Sequence, residues 1–445
     1  MKIRQDIEEN LQTQQEAYST LPEKVKEQLE KFQDDKLGVI FHWGLYAVAG
    51  IVESWQLSEE DTWARKQPWR ENFEQLRQDY WQLNEVFDPQ KFCPEKWAAQ
   101  CKTAGFKYML FTTKHHDGFN MYDTQYSDYK ITANSCPFHG NSRRDIFGEA
   151  AKAFQQEGMA TGIYYSKADW ASPLYWTPKS RPKGRYASYD PLEQPKTWHG
   201  YQKFVFNQLE ELCTRYGKMD ILWLDAGWVN TANHEYLDMD GIIPKLRESQ
   251  PQLIVVDRTV GGVYENYVTP ERKVPDELPN KVWESNIPLA KNWGYVPNDT
   301  YKSFEEILTL LIQITAKGGN LLLGIGPKPD GTLPSQALEL MEQLGSWLAI
   351  YGEGIYGTRS YSVPQTNNWY FTKKEEKIYG FHFNVTMDPI LALSLKELEI
   401  PTGSLSIKNI KTNHMYSIQD GMIHLTEKDR QEFVTGIEIQ IETEG

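Results

Sequence analysis

Met219-Asp-Ile-Leu-Trp-Leu-Asp-Ala-Gly-Trp228 is an apolar run with Asp220 near one end, Asp225 near the other, and Gly227 to turn the chain out. It reads as a short buried β-strand. Side chains alternate along a strand, so Ile221, Trp223 and Asp225 share one face while Leu222 and Leu224 take the other. An acid and an indole therefore stand side by side at the strand's C-terminal end. In a parallel α/β barrel this is where catalytic groups gather. A lone strand-end aspartate serves equally well as a helix cap or the partner of a basic neighbour, so the assignment depends on the rest of the chain.

Similar runs flank it. Leu37–Gly44, Lys107–Lys114, Met159–Ser166, Leu253–Thr259, Lys281–Ser285 and Asn320–Pro327 read as strands. Helical patterns fall between most of them: Asp145 to Gly158, Tyr201 to Tyr216, Gly241–Ser249, and Ser303 to Lys317 with its Ser-x-x-Glu start. Another runs from Pro334 to Tyr351. Alternation of this kind implies a parallel sheet, and seven or eight strands over some 350 residues favour a (β/α)8-like TIM barrel over an open sheet. Residues 3–33 read as an N-terminal helical cover, and 45–104 as loops and helices over one rim. Gly324-Ile-Gly326-Pro327 reads as a turn. After Gly354 the helical period gives way to short alternating runs, predicting a catalytic barrel over 1–355 and a small antiparallel β-sandwich over 356–445.

Composition narrows the function. A formal charge of −14 argues against nucleic acid or an anionic membrane as partner. Fifteen Trp and 25 Tyr exceed what a core requires and suit the apolar faces of sugars. Four cysteines without a CxxC read as ordinary thiols. No apolar run is long enough to span a membrane, and the first ten residues lack a hydrophobic leader core, so the expectation is a cytoplasmic protein. A chain whose leader had been removed would read the same.

Strand ends supply the candidate site: His42, then His115 and His116, then Tyr164-Tyr-Ser166, Trp223 with Asp225, Arg258, and Glu284. No nucleotide loop, nucleophile elbow or H-E-x-x-H spacing occurs, and adjacent His115 and His116 point to opposite faces if their strand continues. On this spacing neither a catalytic metal nor a nucleotide is expected. Two carboxylates, Asp225 and Glu284, each beside an indole, fit glycoside hydrolysis by a nucleophile and an acid/base. Glu277 and Glu53 remain alternatives to Glu284 as proton donor.

Phe41-His-Trp-Gly44, Thr113-Lys-His-His-Asp-Gly-Phe119, Tyr164-Tyr-Ser166, Trp223-Leu-Asp225, Val282-Trp-Glu284, Trp293-Gly-Tyr295 and Ala316-Lys-Gly-Gly-Asn-Leu-Leu-Leu323 together resemble the α-L-fucosidases of glycoside hydrolase family 29, a likeness that implies no cofactor. The resemblance implies retaining hydrolysis of terminal α-L-fucosides on a fucosylated glycan, with Asp225 as nucleophile. It implies that His42, His115, His116, Tyr165, Trp223 and Arg258 hold the sugar and that Trp293 faces its methyl group. Glu53 in Glu53-Ser-Trp55 matches a further hydroxyl-binding acid, with Trp55 beside it. Glu284 looks like the acid/base of the subgroup preferring α-1,3 and α-1,4 linkages, although Ser-Asn-Ile-Pro after Trp283 departs from the commonest form. Whether copies of the chain associate is left open. The competing readings are a fucose-binding lectin, which would need neither carboxylate, and a metal-dependent hydrolase.

Overall fold

The structure is a computed structural model that describes residues 19–384, 391–400 and 405–441. Seven parallel strands form its centre: β1 (Leu37–Phe41), β2 (Tyr108–Lys114), β3 (Ala160–Ser166), β4 (Ile221–Asp225), β5 (Ile254–Asp257), β6 (Glu284–Pro288) and β7 (Asn320–Ile325). Their order is β5-β4-β3-β2-β1-β7-β6, so the sheet curls until β5 and β6 face one another. The gap between these two is closed by an irregular segment. Glu265 bridges antiparallel to Val256, then Val268 and Glu271 bridge parallel to Trp283 and Asn286. Backbone bonds follow the same path, from Val268 N–H to the Val282 carbonyl (2.9 Å) and from Arg272 N–H to the Asn286 carbonyl (3.0 Å). Residues 265–272 thus take the place of an eighth strand.

All seven strands are buried on both faces, as expected of a parallel sheet under helices; only Asp225, last in β4, is partly exposed. Outside run the helices Pro94–Thr103, Ile146–Gln156, Pro195–Arg215, Met239–Ser249, Phe304–Ala316 and Ser335–Tyr351. Pro195 at the first turn starts the third of these six residues before the apolar pattern becomes legible. Asp145, Asp238 and Ser303 cap their helices by accepting backbone N–H groups.

The barrel interior has a floor and a mouth. Helix Glu23–Asp35 plugs the floor with Val25, Leu29 and Phe32, and the Phe32 ring stacks on Tyr267 (4.5 Å) beside Tyr108 (5.2 Å). Residues 3–18 of the expected cover lie outside the described residues. At the opposite end the expected 45–104 excursion forms short helices and turns from Leu45 to Glu85 over the mouth, while its last part, Pro94–Thr103, is the first of the outer helices rather than part of the rim.

From Arg359 the strands are antiparallel. β8 (Arg359–Thr366), β9 (Trp369–Lys374), β10 (Lys377–Phe383), β12 (Leu405–Asn409) and β15 (Val434–Ile441) form one sheet. β11 (Leu391–Ser394), β13 (Ile418–Gln419) and β14 (Met422–Leu425) form the other, and both bury side chains in a common apolar core. Strand β8 has no counterpart in the sequence reading, because its side chains are mostly half-exposed and carry no alternation. Among the short alternating runs of the sequence is Ile390–Leu395, whose first residue lies outside the described residues.

Candidate active site

Asp225 closes β4 at the mouth, and the chain leaves it through Ala226 in the left-handed region (φ 69°). Thr259, immediately after Arg258, is likewise left-handed (φ 63°). Both turns are costly for residues with a Cβ, and they aim two neighbouring strand ends into one cavity. That cavity measures about 720 Å³ and is lined by His42, Glu53, Trp55, His115, His116, Trp223, Asp225, Arg258 and Trp293, all expected from the sequence.

Arg258 organises its floor. One guanidinium nitrogen donates to Asp225 Oδ1 (3.2 Å) and the other to Glu271 Oε2. Tyr164 O–H donates to the second oxygen of Asp225. Burial alone would push the Asp225 carboxyl up, but Arg258 and the Tyr164 hydroxyl hold it well below the usual carboxylate range, so it stays ionised. Burial would raise Glu271 too; Arg258, by charge and hydrogen bond, keeps it below its ordinary value. The Trp293 indole N–H donates to the other Glu271 oxygen (3.0 Å). Two carboxylates on one guanidinium stand across a single small space.

The histidines surround that space as neutral rings. Burial lowers all three, His115 to about 4. Strand β2 ends at Lys114 and the chain turns at once, so His115 and His116 do not diverge; their ring centroids lie 4.0 Å apart and both line the cavity. Ser166 Oγ–H is committed to the Ala168 carbonyl (2.7 Å), so His116 Nδ1 must donate to Ser166 Oγ (2.7 Å). Its Nε2, 3.8 Å from Asp225 Oδ2, is left as a free acceptor. His115 Nδ1 is held by Ser54 Oγ (2.6 Å). Glu53, itself left-handed (φ 28°), accepts the backbone N–H groups of Trp293 and Gly294 on one oxygen (2.9 Å each). Burial raises its carboxyl to about 7. The Trp293 ring stacks on His42 (5.0 Å). It rests over Gly324, where a Cβ would lie 2.5 Å from the indole, while one at Gly326 would strike the Gly294 backbone at 2.4 Å. Gly324 closes no turn: it is a residue of β7 that makes room for the wall of the site.

Three residues named from the sequence do not reach the cavity. Glu284 is the first residue of β6, not its last, and pairs with Asn320 at the start of β7. It is fully buried near the floor and does not line the cavity; Tyr108 O–H donates to it (2.6 Å). Burial pushes its carboxyl to about 8. Glu277 is exposed and likewise absent from the lining. Tyr165 also faces away, hydrogen-bonding Gln208 (2.8 Å) and lying under Lys114, while Tyr164, in register with Trp223, takes the inward place. Glu271 went unread because no strand was assigned between Thr259 and Lys281. The one available signal was arithmetic: seven strands leave a barrel one short.

His115, His116 and Asp225 offer donor atoms within 4.8 Å of one another, a spacing that suits a metal ion. The surroundings do not suit one. Both Asp225 oxygens already accept hydrogen bonds, and the Arg258 guanidinium 3.2 Å away would repel a dication. Neutral acceptors and donors at this spacing fit sugar hydroxyls better.

Comparison with known proteins agrees. The pattern of the alpha-L-fucosidase family matches residues 5–353. The chain is similar to the tissue alpha-L-fucosidase of Homo sapiens, 28% identical over 91% of this chain and 84% of that one. It is also similar to an alpha-L-fucosidase of Dictyostelium discoideum, 26% identical over 82% and 79%. Among solved structures, alpha-L-fucosidase isoenzyme 1 from Paenibacillus thiaminolyticus superposes with a TM-score of 0.77 at 26% identity, covering 94% of this chain and all (100%) of that one. The Thermotoga maritima alpha-fucosidase in complex with a mechanism-based inhibitor gives 0.74 at 26%, covering 93% and 96%. No helix among the described residues is long and apolar enough to cross a membrane.

Proposed function

The chain belongs to the alpha-L-fucosidase family of glycoside hydrolases, and from that membership we propose that it removes terminal α-linked L-fucose by a retaining double displacement. The observation that carries the reading is the pair of carboxylates, Asp225 and Glu271, held by one Arg258 guanidinium in a cavity walled by histidine and tryptophan. Asp225, kept ionised, attacks the anomeric carbon. Glu271 takes the acid/base role for which Glu284, with Glu277 and Glu53 as alternatives, was the expectation.

In the first step Glu271 protonates the departing oxygen as Asp225 forms the glycosyl ester. The bound glycan expels water from around Glu271, which favours its protonated form. Esterification then removes the negative charge of Asp225 next to it, and Glu271 becomes a base able to deprotonate the incoming water. His116 Nε2 and His42 Nδ1, buried and without partners among the described residues, meet the hydroxyls of a neutral sugar, with Glu53 and His115 beside them. Trp293 offers an apolar face for the fucose methyl group. A binding protein without catalysis would leave the Asp225–Arg258–Glu271 arrangement without a task.

A cavity of about 720 Å³ exceeds the needs of one sugar and leaves room for a branched glycan, but volume alone does not favour a preference for α-1,3 or α-1,4 linkages. Glu284 lends no support to that preference, since it is remote from the mouth. Proton NMR of an aryl α-L-fucoside during hydrolysis tests the reading: α-L-fucose should appear first, with the β anomer arising only by mutarotation. Early β-L-fucose contradicts retention, and absence of turnover contradicts the function.

A further inference from the structure

Fucose is uncharged, yet the cavity is not. The chain as a whole carries 61 acidic against 47 basic residues, while the cavity lining holds five basic side chains (Lys66, Arg185, Arg258, Arg272, Lys291) and three acidic ones. Arg258 is consumed by Asp225 and Glu271, and Arg185 pairs with Asp61. The other three stand exposed on loops. Among the described residues, Lys66 and Lys291 have no ion-pair partner. Arg272 is held in place rather than free: it donates to the Lys291 carbonyl (2.8 Å), and its guanidinium carbon lies 5.3 Å from the centroid of the Trp293 ring. A protein of net charge −14 repels anions in general, so two unpaired lysines at the mouth, beside an Arg272 that Glu271 partly neutralises (3.6 Å), create a local exception.

We propose that the glycan this enzyme takes carries an anionic substituent, a carboxylate or a sulfate ester, on a sugar beyond the fucose, and that Arg272, Lys291 and Lys66 receive it. The inference rests on the fucosidase reading and adds the substrate class. It also links recognition to chemistry. Arg272 Nε lies 3.6 Å from Glu271 Oε1, and positive charge there disfavours a proton on Glu271. An anion docked on Arg272 offsets that charge and so assists the acid step.

The test compares kcat/KM of the full chain for a neutral fucosylated trisaccharide, its sialylated form and its sulfated form, with an aryl α-L-fucoside as reference. The anionic substrates should be favoured by about three- to tenfold at low salt, as expected for a few exposed charge pairs, and the advantage should shrink as salt rises. Preference for one of the two forms identifies the anion. The double variant Lys66→Ala/Lys291→Ala should lose most of the advantage while hydrolysing the aryl fucoside like the parent. Equal kcat/KM for neutral and anionic substrates, or an advantage that survives in the double variant, overturns the proposal. Failure to hydrolyse even the aryl fucoside would instead overturn the fucosidase reading beneath it.

Discussion

Strand β4 and the stretch from Thr259 to Pro288 each bring a carboxylate to the same guanidinium, and they do so by opposite means. β4 is a regular inner strand whose apolar pattern, length and terminal acid follow from its own residues, and Asp225 emerges where alternation places it. The second stretch leaves the sheet after β5 and returns as an irregular edge through Tyr267 and Val268. It presents Glu271 beside Asn286 before the chain loops back to begin β6 at Glu284. A strand carries its own register; an edge takes its register from what it pairs with. The two acids therefore differ in how they can be found and in how they should respond to change.

Removing the acid on the regular strand should have the largest effect. Asp225→Asn keeps the shape but not the nucleophile, and kcat should fall by ~10⁴-fold or more on every substrate, measured by fucose release. Glu271→Gln should cost on the order of 10²- to 10⁴-fold on natural glycans with poor leaving groups, and much less on an activated aryl fucoside. Because Arg258 holds the Glu271 carboxyl below its ordinary value, kcat/KM on natural glycans should decline as pH rises through an unusually low range. In Glu271→Gln that decline should be absent.

The same contrast has a smaller version in β3. Tyr164→Phe deletes the hydrogen bond that helps keep Asp225 ionised, so the acid limb of the kcat/KM profile should move to higher pH, with a loss of roughly tenfold. Tyr165→Phe removes a buried hydroxyl bonded to Gln208, and should cost ~1 kcal/mol of stability in thermal unfolding with the pH profile unmoved.

Glu284→Gln should leave turnover nearly untouched and change only how stability depends on pH. Folding raises the proton affinity of this carboxyl to about 8, so its contribution to stability is complete at low pH and lost as pH rises toward and through that value. The parent's unfolding free energy should drop between pH 5 and 8 more than that of Glu284→Gln, a difference on the order of a few kcal/mol across the window. Turnover at pH 6 should be preserved within about twofold. A large loss of activity there would reinstate Glu284 as a working acid.

Most of the barrel was legible because buried parallel strands are written as apolar runs between capped helices, and Ser303 with Glu306 is as plain in sequence as in structure. The histidines, Trp223, Asp225 and Arg258 were legible as strand ends. Lys281–Ser285 misled because Val282 and Trp283 are apolar enough to pass for strand, although they lie before β6, meeting the irregular edge on one side while the Trp283 carbonyl accepts the Asn320 N–H of β7 on the other. Shifting that strand by three residues moved Glu284 from floor to mouth. Tyr164 and Tyr165 are identical in type and adjacent, so only pairing with Trp223 decides which faces inward. Glu271 belongs to no regular element, and its place is set by hydrogen bonds from Arg258 and Trp293 that no local pattern announces.

Azide rescue of Glu271→Ala on an aryl α-L-fucoside bears most directly on the claim that Glu271 and not Glu284 works opposite Asp225. With the acid/base deleted, azide should enter the vacated space, attack the glycosyl ester and restore turnover, yielding α-L-fucosyl azide of retained configuration. Glu284→Ala should show neither rescue nor azide product. The reverse pattern, or a Glu271→Ala enzyme that cleaves natural glycans at the parent's rate, would contradict the account.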